Sequence, residues 1–380
     1  MAEQTSLSST SSSPNNPNNS IPLNDSSKPD SATPTPTPSH LTQAPIAYEM
    51  ETYTRGLSPH YSRPAITFQS TEWEPQACAR LSTDARGYVY GSAGQRETCE
   101  KNRAAFRKWS VVPRRIGRKG GEEGKGRGLI FTRVATDSFP DLRVKVLGEE
   151  LESPIAVAPV GVQRIFHPEG EEAVARACAS VGVPMCMSTA ASASIEDVAV
   201  ANGGERTGGG KGNGEGKERI EGGGRRWFQL YWPANKDNDI TISLLTRAKK
   251  AGFTVLFVTL DTYTVGWRPS DLDNGYNPFI RADNIGVEPG FSDPVFRGKW
   301  RGKYGVEVEE MKGEAARAWT GTVFPGFSHG WEDVAFLREQ WEGPIVLKGI
   351  MSVEDARKCV EVGVQGIVVS NHGGRQMDGG

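Results

Sequence analysis

The chain has 380 residues, 45 of them glycine, with a formal net charge of −2 and 24% charged side chains. That balance gives no global electrostatic reason to bind nucleic acid or an anionic membrane. The glycines cluster, eleven between 203 and 224 and six between 117 and 128, without the strict period of a collagen-like or fibrous chain.

Residues 1–40 hold eleven Ser and seven Pro with few apolar side chains. They cannot bury enough surface to offset the entropy of ordering, which predicts a disordered tail over 1–45. The first basic residue is Lys28 and the chain ends D-G-G, so neither a secretory or mitochondrial leader nor a peroxisomal signal is read. Five scattered cysteines (Cys78, Cys99, Cys178, Cys186, Cys359) contain no C-x-x-C pair and predict reduced thiols. No apolar run approaches the roughly 20 residues of a membrane helix, and a cytoplasmic protein is expected.

Order is expected from about Trp73–Leu81, followed by a helix over Glu97–Trp109 and a Gly-rich insertion at 115–128. From Leu151 a rhythm sets in. Apolar runs at 155–160, 184–188, 227–231, 254–260, 344–348 and 366–370 predict strands. Between them, helices are predicted at 168–181 (opened by Pro168), 194–202 (opened by S-I-E-D), 239–251 (closed by Gly252), 331–341 and 352–362 (opened by S-V-E-D). A second Gly-rich insertion spans 203–224, and a long irregular connection runs from 261 to about Ser328. Short, continuously apolar strands alternating with helices predict a parallel sheet covered by helices. Chemistry-bearing residues sit just past the strand C-termini, as in a (β/α)₈ barrel or an open doubly wound sheet.

The motifs sharpen this. G-G-G-K-G-N-G-E-G-K-E (208–218) is not a phosphate loop, because Glu218 stands where Ser or Thr is needed and no apolar strand precedes it. S-N-H-G-G-R-Q (370–376) places His372 and Arg375 around two glycines at a strand end. His372 can exchange a proton near neutral pH, and Arg375 can grip a carboxylate with two parallel hydrogen bonds. D-T-Y-T-V-G-W-R (261–268) sets Asp261 at another strand end with Arg268 seven residues on. L-K-G (347–349) ends a strand in Lys348, and the alternation of F-Q-L-Y (228–231) turns Gln229 and Tyr231 to one face. His167 is read as structural. No metal-ligand spacing is present in the sequence.

These residues together resemble the FMN-dependent α-hydroxy-acid oxidase family over about Trp73 to Gly380. The further motifs are G-Y-V-Y-G-S-A-G (87–94), N-R-A-A-F (102–106), A-P-V-G (158–161), H-P-E-G-E (167–171) and T-L-D-T (259–262). D-P-V-F (293–296), G-V-E-V-E (305–309) and W-E-D (331–333) are most similar to its lactate 2-monooxygenase branch. The resemblance implies a TIM (β/α)₈ barrel domain over 70–380, bound FMN, and a small lactate-like L-2-hydroxy acid as substrate. It also implies oxygen as electron acceptor, oxidative decarboxylation as the outcome, and a homo-oligomer. His372 would be the base, positioned by Asp261. Tyr88, Tyr231, Arg268 and Arg375 would hold the substrate. Pro159, Val160 and Gly161 would present backbone to the flavin, with Ser188, Gln229, Thr259, Lys348 and Ser370 contacting FMN. Six strands do not close an eight-stranded barrel. The family's D-G-G/S-G-x-R and G-R-P phosphate loops have no counterpart, so a barrel two units short at its C-terminus is expected. Two alternatives stay open: a remnant that cannot hold FMN, and an oxidase that releases keto acid and hydrogen peroxide.

Overall fold

The computed structural model describes residues 45–112, 141–207, 219–281, 283 and 285–380. The expected tail up to residue 44, the insertion at 115–128, and residues 208–218 of the second insertion lie outside the described residues. Four helices come first: α1 (Pro45–Arg55), α2 (Trp73–Arg80), α3 (Thr83–Tyr90) and α4 (Glu97–Arg107). Helix α1 corrects the expectation that order starts near Trp73. Pro45 reads as the end of a Pro-rich tail but stands at the helix start, where proline is tolerated. Glu51 and Arg55 then pair one turn apart at 2.5 Å. Ser82 caps α3, its hydroxyl accepting from the Ala85 amide at 3.2 Å.

A hairpin follows, β1 (Val144–Val146) and β2 (Glu149–Leu151), whose two turn residues Leu147 and Gly148 both have positive φ (52° and 86°). That geometry matches the twist of the flanking strands. The expected strand at 155–160 does not form. Only Val157 bridges to the sheet, donating to Pro184 O and accepting from Cys186 N. Pro154 and Pro159 on either side lack the amides a longer ladder needs.

Helix α5 (Gly170–Ser180) starts two residues later than expected, leaving Pro168 outside and Glu171 and Glu172 in its first turn. Then come β3 (Met185–Ser188) and α6 (Ile195–Ala201), capped by the Ser194 hydroxyl on the Asp197 amide at 3.0 Å. Short strands β4 (Glu205–Thr207) and β5 (Arg219–Glu221) pair antiparallel and close the second Gly-rich insertion at its base. The chain continues through β6 (Arg226–Tyr231), α7 (Asn238–Lys250) and β7 (Val255–Thr259).

The connection expected to be irregular holds four helices: α8 (Pro269–Asp273), α9 (Glu288–Phe291), α10 (Pro294–Tyr304) and α11 (Lys312–Val323). Three of them carry proline in their first turn, where it opens a helix and reads in sequence as a breaker. Helix α12 (Val334–Gln340), β8 (Ile345–Ile350), α13 (Val353–Glu361) and β9 (Gly366–Val369) complete the fold.

Five strands, one fewer than expected, form the central sheet in the order β3-β6-β7-β8-β9, all parallel. The spatial order never reverses, so there is no switch point of the doubly wound kind, and right-handed crossovers stack the helices on one face. Helices α5, α6 and α7 pack in series there, with α12 against α7. The sheet is the barrel type, open between β3 and β9.

Strand parity divides the core in two. Met187, Phe228, Leu230, Leu256, Val258 and Leu347 point outward into one cluster with Ile195, Leu244 and Leu337 of the helices. Cys186, Trp227, Val255, Phe257 and Val346 point inward and meet Leu151 of the hairpin, with Val144, Val146 and Leu147 packed alongside. Trp227 stacks on Phe257 at 5.4 Å and donates its indole N–H to Glu149 at 3.2 Å. The hairpin is thus the floor of the inner face. Leu151→Ala should lower unfolding free energy by about 2–4 kcal/mol in a urea titration, as cavities in a packed core do. A change below about 0.5 kcal/mol, the scale of a surface substitution, would show that the hairpin does not seal that face.

Candidate active site

Two residues beyond the inward apolar layer, the same strand face turns polar. Ser188, Gln229 and Thr259 are buried there. The Ser188 hydroxyl donates to Gln229 Oε1 at 2.8 Å, and Gln229 Nε2 donates to Thr259 Oγ1 at 2.9 Å. Lys348 lies in register with Thr259 on the next strand. Above this layer, at the C-terminal ends of the strands, opens a cavity of about 350 Å³. Tyr88, Pro159, Val160, Gly161, Tyr231, Arg268, Lys348, Ser370, His372 and Arg375, all singled out by the sequence, line it together. Ser188, Gln229 and Thr259 do not line it; they form its buried footing.

His372 stands where β9 turns back. Its φ is +56°, followed by +66° at Gly373 and +73° at Gly374. A Cβ on Gly374 would lie 2.7 Å from the Cys99 amide nitrogen, so only glycine lets this loop sit against α4. Asn371 and Asn102, one turn further along α4, exchange two amide hydrogen bonds at 2.9 and 3.0 Å and fix the loop to the same helix.

Three groups surround His372 Nδ1: Asp261 Oδ1 at 2.7 Å, Thr262 Oγ1 at 2.9 Å and Lys348 Nζ at 3.1 Å. Lys348 also pairs with Asp261 Oδ2 at 2.8 Å. Burial alone would raise the Asp261 carboxyl, but the His372 hydrogen bond and the nearby Lys348 charge hold it below its ordinary value. Burial pushes the His372 imidazole down, against the Asp261 bond and with help from Lys348. The resting state is therefore an ionised Asp261 beside a neutral imidazole. With Nδ1 donating to the carboxylate, Nε2 is left as the basic nitrogen.

The two arginines are held by backbone. Arg268 is buried, and its guanidinium donates to Arg375 O at 3.0 Å and to Gln376 Oε1 at 2.9 Å. Arg375 donates to Gly91 O at 2.5 Å, at the end of α3. Both guanidinium carbons face the Tyr88 ring, at 5.7 and 5.1 Å from its centroid. Tyr231 is half-buried, and the desolvation of its hydroxyl pushes the phenol well up and keeps it a neutral hydrogen-bonding group. Three cations, Arg268, Arg375 and Lys348, outnumber the two carboxylates beside them, Asp261 and Asp271 (4.0 Å from Arg268), and leave the cavity suited to an anion.

The lining also fits the flat ring of a flavin. A Cβ on Gly161 would stand 2.8 Å from the Ala190 side chain, so the 159–161 backbone forms a smooth wall. Lys348 and Ser370 supply polar groups along the same cavity.

Sequence reasoning missed Thr262, next to Asp261 in T-L-D-T, because its neighbour's charge was the stronger signal. It also missed Phe279 and Phe324, delivered by the helical excursion after β7, where Phe324 packs on Tyr231 at 4.8 Å. The residues of the motifs that resemble the monooxygenase branch hold the scaffold. Asp293 caps α10 at 2.9 and 3.0 Å, Glu307 and Glu309 pair with Arg297, and Asp333 accepts from Gly330 N at 2.8 Å. His167 likewise accepts from the Glu169 amide at 3.2 Å ahead of α5, the structural role expected of it.

Comparison with known proteins meets this geometry. Residues 127–380 match the family model for FMN-dependent dehydrogenases. An FMN-dependent α-hydroxy acid dehydrogenase of Schizosaccharomyces pombe is 52% identical, over 88% of this chain and 73% of its own. An L-lactate oxidase of Lysinibacillus sphaericus is 32% identical, over 80% and 67%. A crystal structure of mandelate oxidase superposes with a TM-score of 0.57 at 29% identity, covering 82% of this chain and 70% of that one. The chain belongs to the FMN-dependent dehydrogenase family, as an α-hydroxy-acid oxidoreductase that uses FMN.

Proposed function

We propose that the chain oxidises a small, lactate-like L-2-hydroxy acid with His372 as base, and that oxygen accepts the electrons. The observation that carries this reading is the 2.7 Å pairing of His372 with Asp261 beside a cavity that also holds Arg268 and Arg375. Oxidising such an acid removes a hydroxyl proton and two electrons from the α-carbon. Bound FMN supplies the acceptor for those electrons. His372 Nε2 takes the proton, and Asp261 stabilises the imidazolium that results. Arg375 and Arg268 hold the carboxylate so that the hydroxyl faces His372, with Tyr88 and Tyr231 completing the grip. When FMN is bound, Pro159, Val160 and Gly161 would face its ring and Lys348 and Ser370 its polar groups, above the buried Ser188, Gln229 and Thr259. An L-lactate oxidase and a human 2-hydroxyacid oxidase among the relatives support the substrate class and the role of oxygen.

Oxidative decarboxylation is the finer proposal, resting on the motif likeness to the monooxygenase branch. Product analysis decides it. A monooxygenase converts lactate and oxygen to acetate, carbon dioxide and water, whereas an oxidase releases pyruvate and hydrogen peroxide.

His372→Ala should slow flavin reduction by about 10²–10⁴-fold in anaerobic stopped flow while flavin absorbance shows unchanged binding. A wild-type rate in that variant would remove His372 from the role. Arg375→Lys should raise KM by about 10- to 100-fold with a smaller change in kcat, because an ammonium cannot reproduce the two-pronged grip. The base must be neutral to act, so kcat/KM falls as pH drops through the His372 pKa, which burial and Lys348 depress. The acid limb should therefore be centred below about 6.5, the ordinary imidazole value. A limb centred above it would mean another group titrates.

A further inference from the structure

Glu171 is a fully buried carboxylate that the chemistry above does not use. It sits in the first turn of α5, where the helix dipole favours negative charge. Its Oε1 accepts from the Gln163 amide at 3.1 Å, the Ser192 amide at 2.9 Å and the Ser192 hydroxyl at 3.4 Å. Those donors belong to two different strand-end loops, 159–164 and 189–192. The first loop makes the 159–161 wall of the cavity, and the second contributes Ala190 behind it.

Other observations show that the contact between these loops is under constraint. Val162, a β-branched residue, is held at φ +51° with its amide on Ala190 O at 2.9 Å. Gly161 presses so close to Ala190 that no Cβ would fit. Gln163 turns its side-chain amide back to Val160 O at 2.9 Å, and Ser192 Oγ accepts from the Arg164 amide at 3.2 Å. A strained turn persists only where its surroundings over-determine it. The Glu171 carboxylate, on the helix behind them, accepts hydrogen bonds from both loops.

We infer that Glu171 is a positioning residue for the cofactor, a latch that joins the two loops and sets the flatness of the wall on which the flavin ring lies. It touches neither ring nor substrate. Its action runs through the backbone of residues 159–163. The inference rests on the FMN reading of the cavity and adds to it a residue outside the cavity lining. Burial pushes the Glu171 carboxyl up, so glutamine is a close neutral mimic that keeps the Oε1 acceptor.

The test strips flavin from the full-length chain and titrates FMN back, reading its fluorescence quenching and the visible spectrum of the complex. Glu171→Ala leaves two buried amides without an acceptor and should weaken FMN binding by about tenfold or more, with a shifted flavin spectrum. Glu171→Gln should restore affinity to within about threefold of wild type. Glu196→Gln is the stability control: it weakens the half-buried pair with Arg247 on the helical layer and should lower Tm without moving FMN affinity. If Glu171→Ala does not fold, Glu171→Asp, one methylene too short to reach both loops, takes its place with the same expected loss. Wild-type affinity and spectrum in the Ala or Asp variant would overturn the latch. So would an equal loss in the Glu196 control, which would make the effect general destabilisation. Failure of the wild-type chain to take up FMN would instead overturn the cofactor reading, and the latch with it.

Discussion

Asp261 carries a negative charge at a position where burial opposes it, and every group around it answers that charge. Lys348 supplies an ion pair, Thr262 a hydroxyl, and His372 an imidazole N–H whose donation decides which ring nitrogen is free. The backbone concedes room as well. Gly349 lies at φ +105°, and a Cβ there would stand 2.9 Å from the Asp261 Cβ. Lys348 is thus followed by the residue type that lets β8 pass the carboxylate. Remove the charge and the lysine loses its partner and the histidine its orientation.

The strands deliver these groups through their period of two. On the inward face, the step from residue 186 to 188, 227 to 229, 257 to 259 and 346 to 348 carries each strand from the apolar floor into the polar layer. The register staggers the change: Ser188 pairs with Gln229 and Thr259 with Lys348, but Gln229 lies beside Phe257, so the polar layer steps by two residues between β6 and β7. The cavity therefore has a dry side, sealed by Trp227, Phe257 and the hairpin, and a wet side where charge is tolerated. A low-dielectric floor strengthens each polar interaction above it.

Much of this was legible in the sequence, because apolar runs and strand-end motifs report directly on strand parity. Five of the six expected strands formed within two residues of their predicted bounds, and His372, Asp261, Lys348 and both arginines converge on one place. What failed to show has identifiable physical causes. Proline has two opposite uses, so α1 and α8 to α10 read as breaks, while at 155–160 prolines on either side of an apolar run prevented a strand. The backbone carbonyls that hold Arg268 and Arg375 have no sequence signal at all. The acidic motifs of the connection after β7 carried a family likeness but no structural reading, and their part in the fold, with Asp293 and Asp333 capping helices and Glu307 pairing with Arg297, emerges only from the structure.

The β4–β5 pairing has a consequence for how this fold can vary. Thr207 and Arg219 face each other across its last rung, so the two ends of the Gly-rich insertion are already brought together by backbone hydrogen bonds. The stem leads into the N-terminal end of β6, whereas the chemistry is gathered at the strands' other ends. Because loop closure grows only logarithmically with length, residues added between those two positions cost little. The cavity does not register their number. Here the scaffold has a socket, a point where foreign sequence, even a folded domain, can be spliced in while the catalytic face stays as it was.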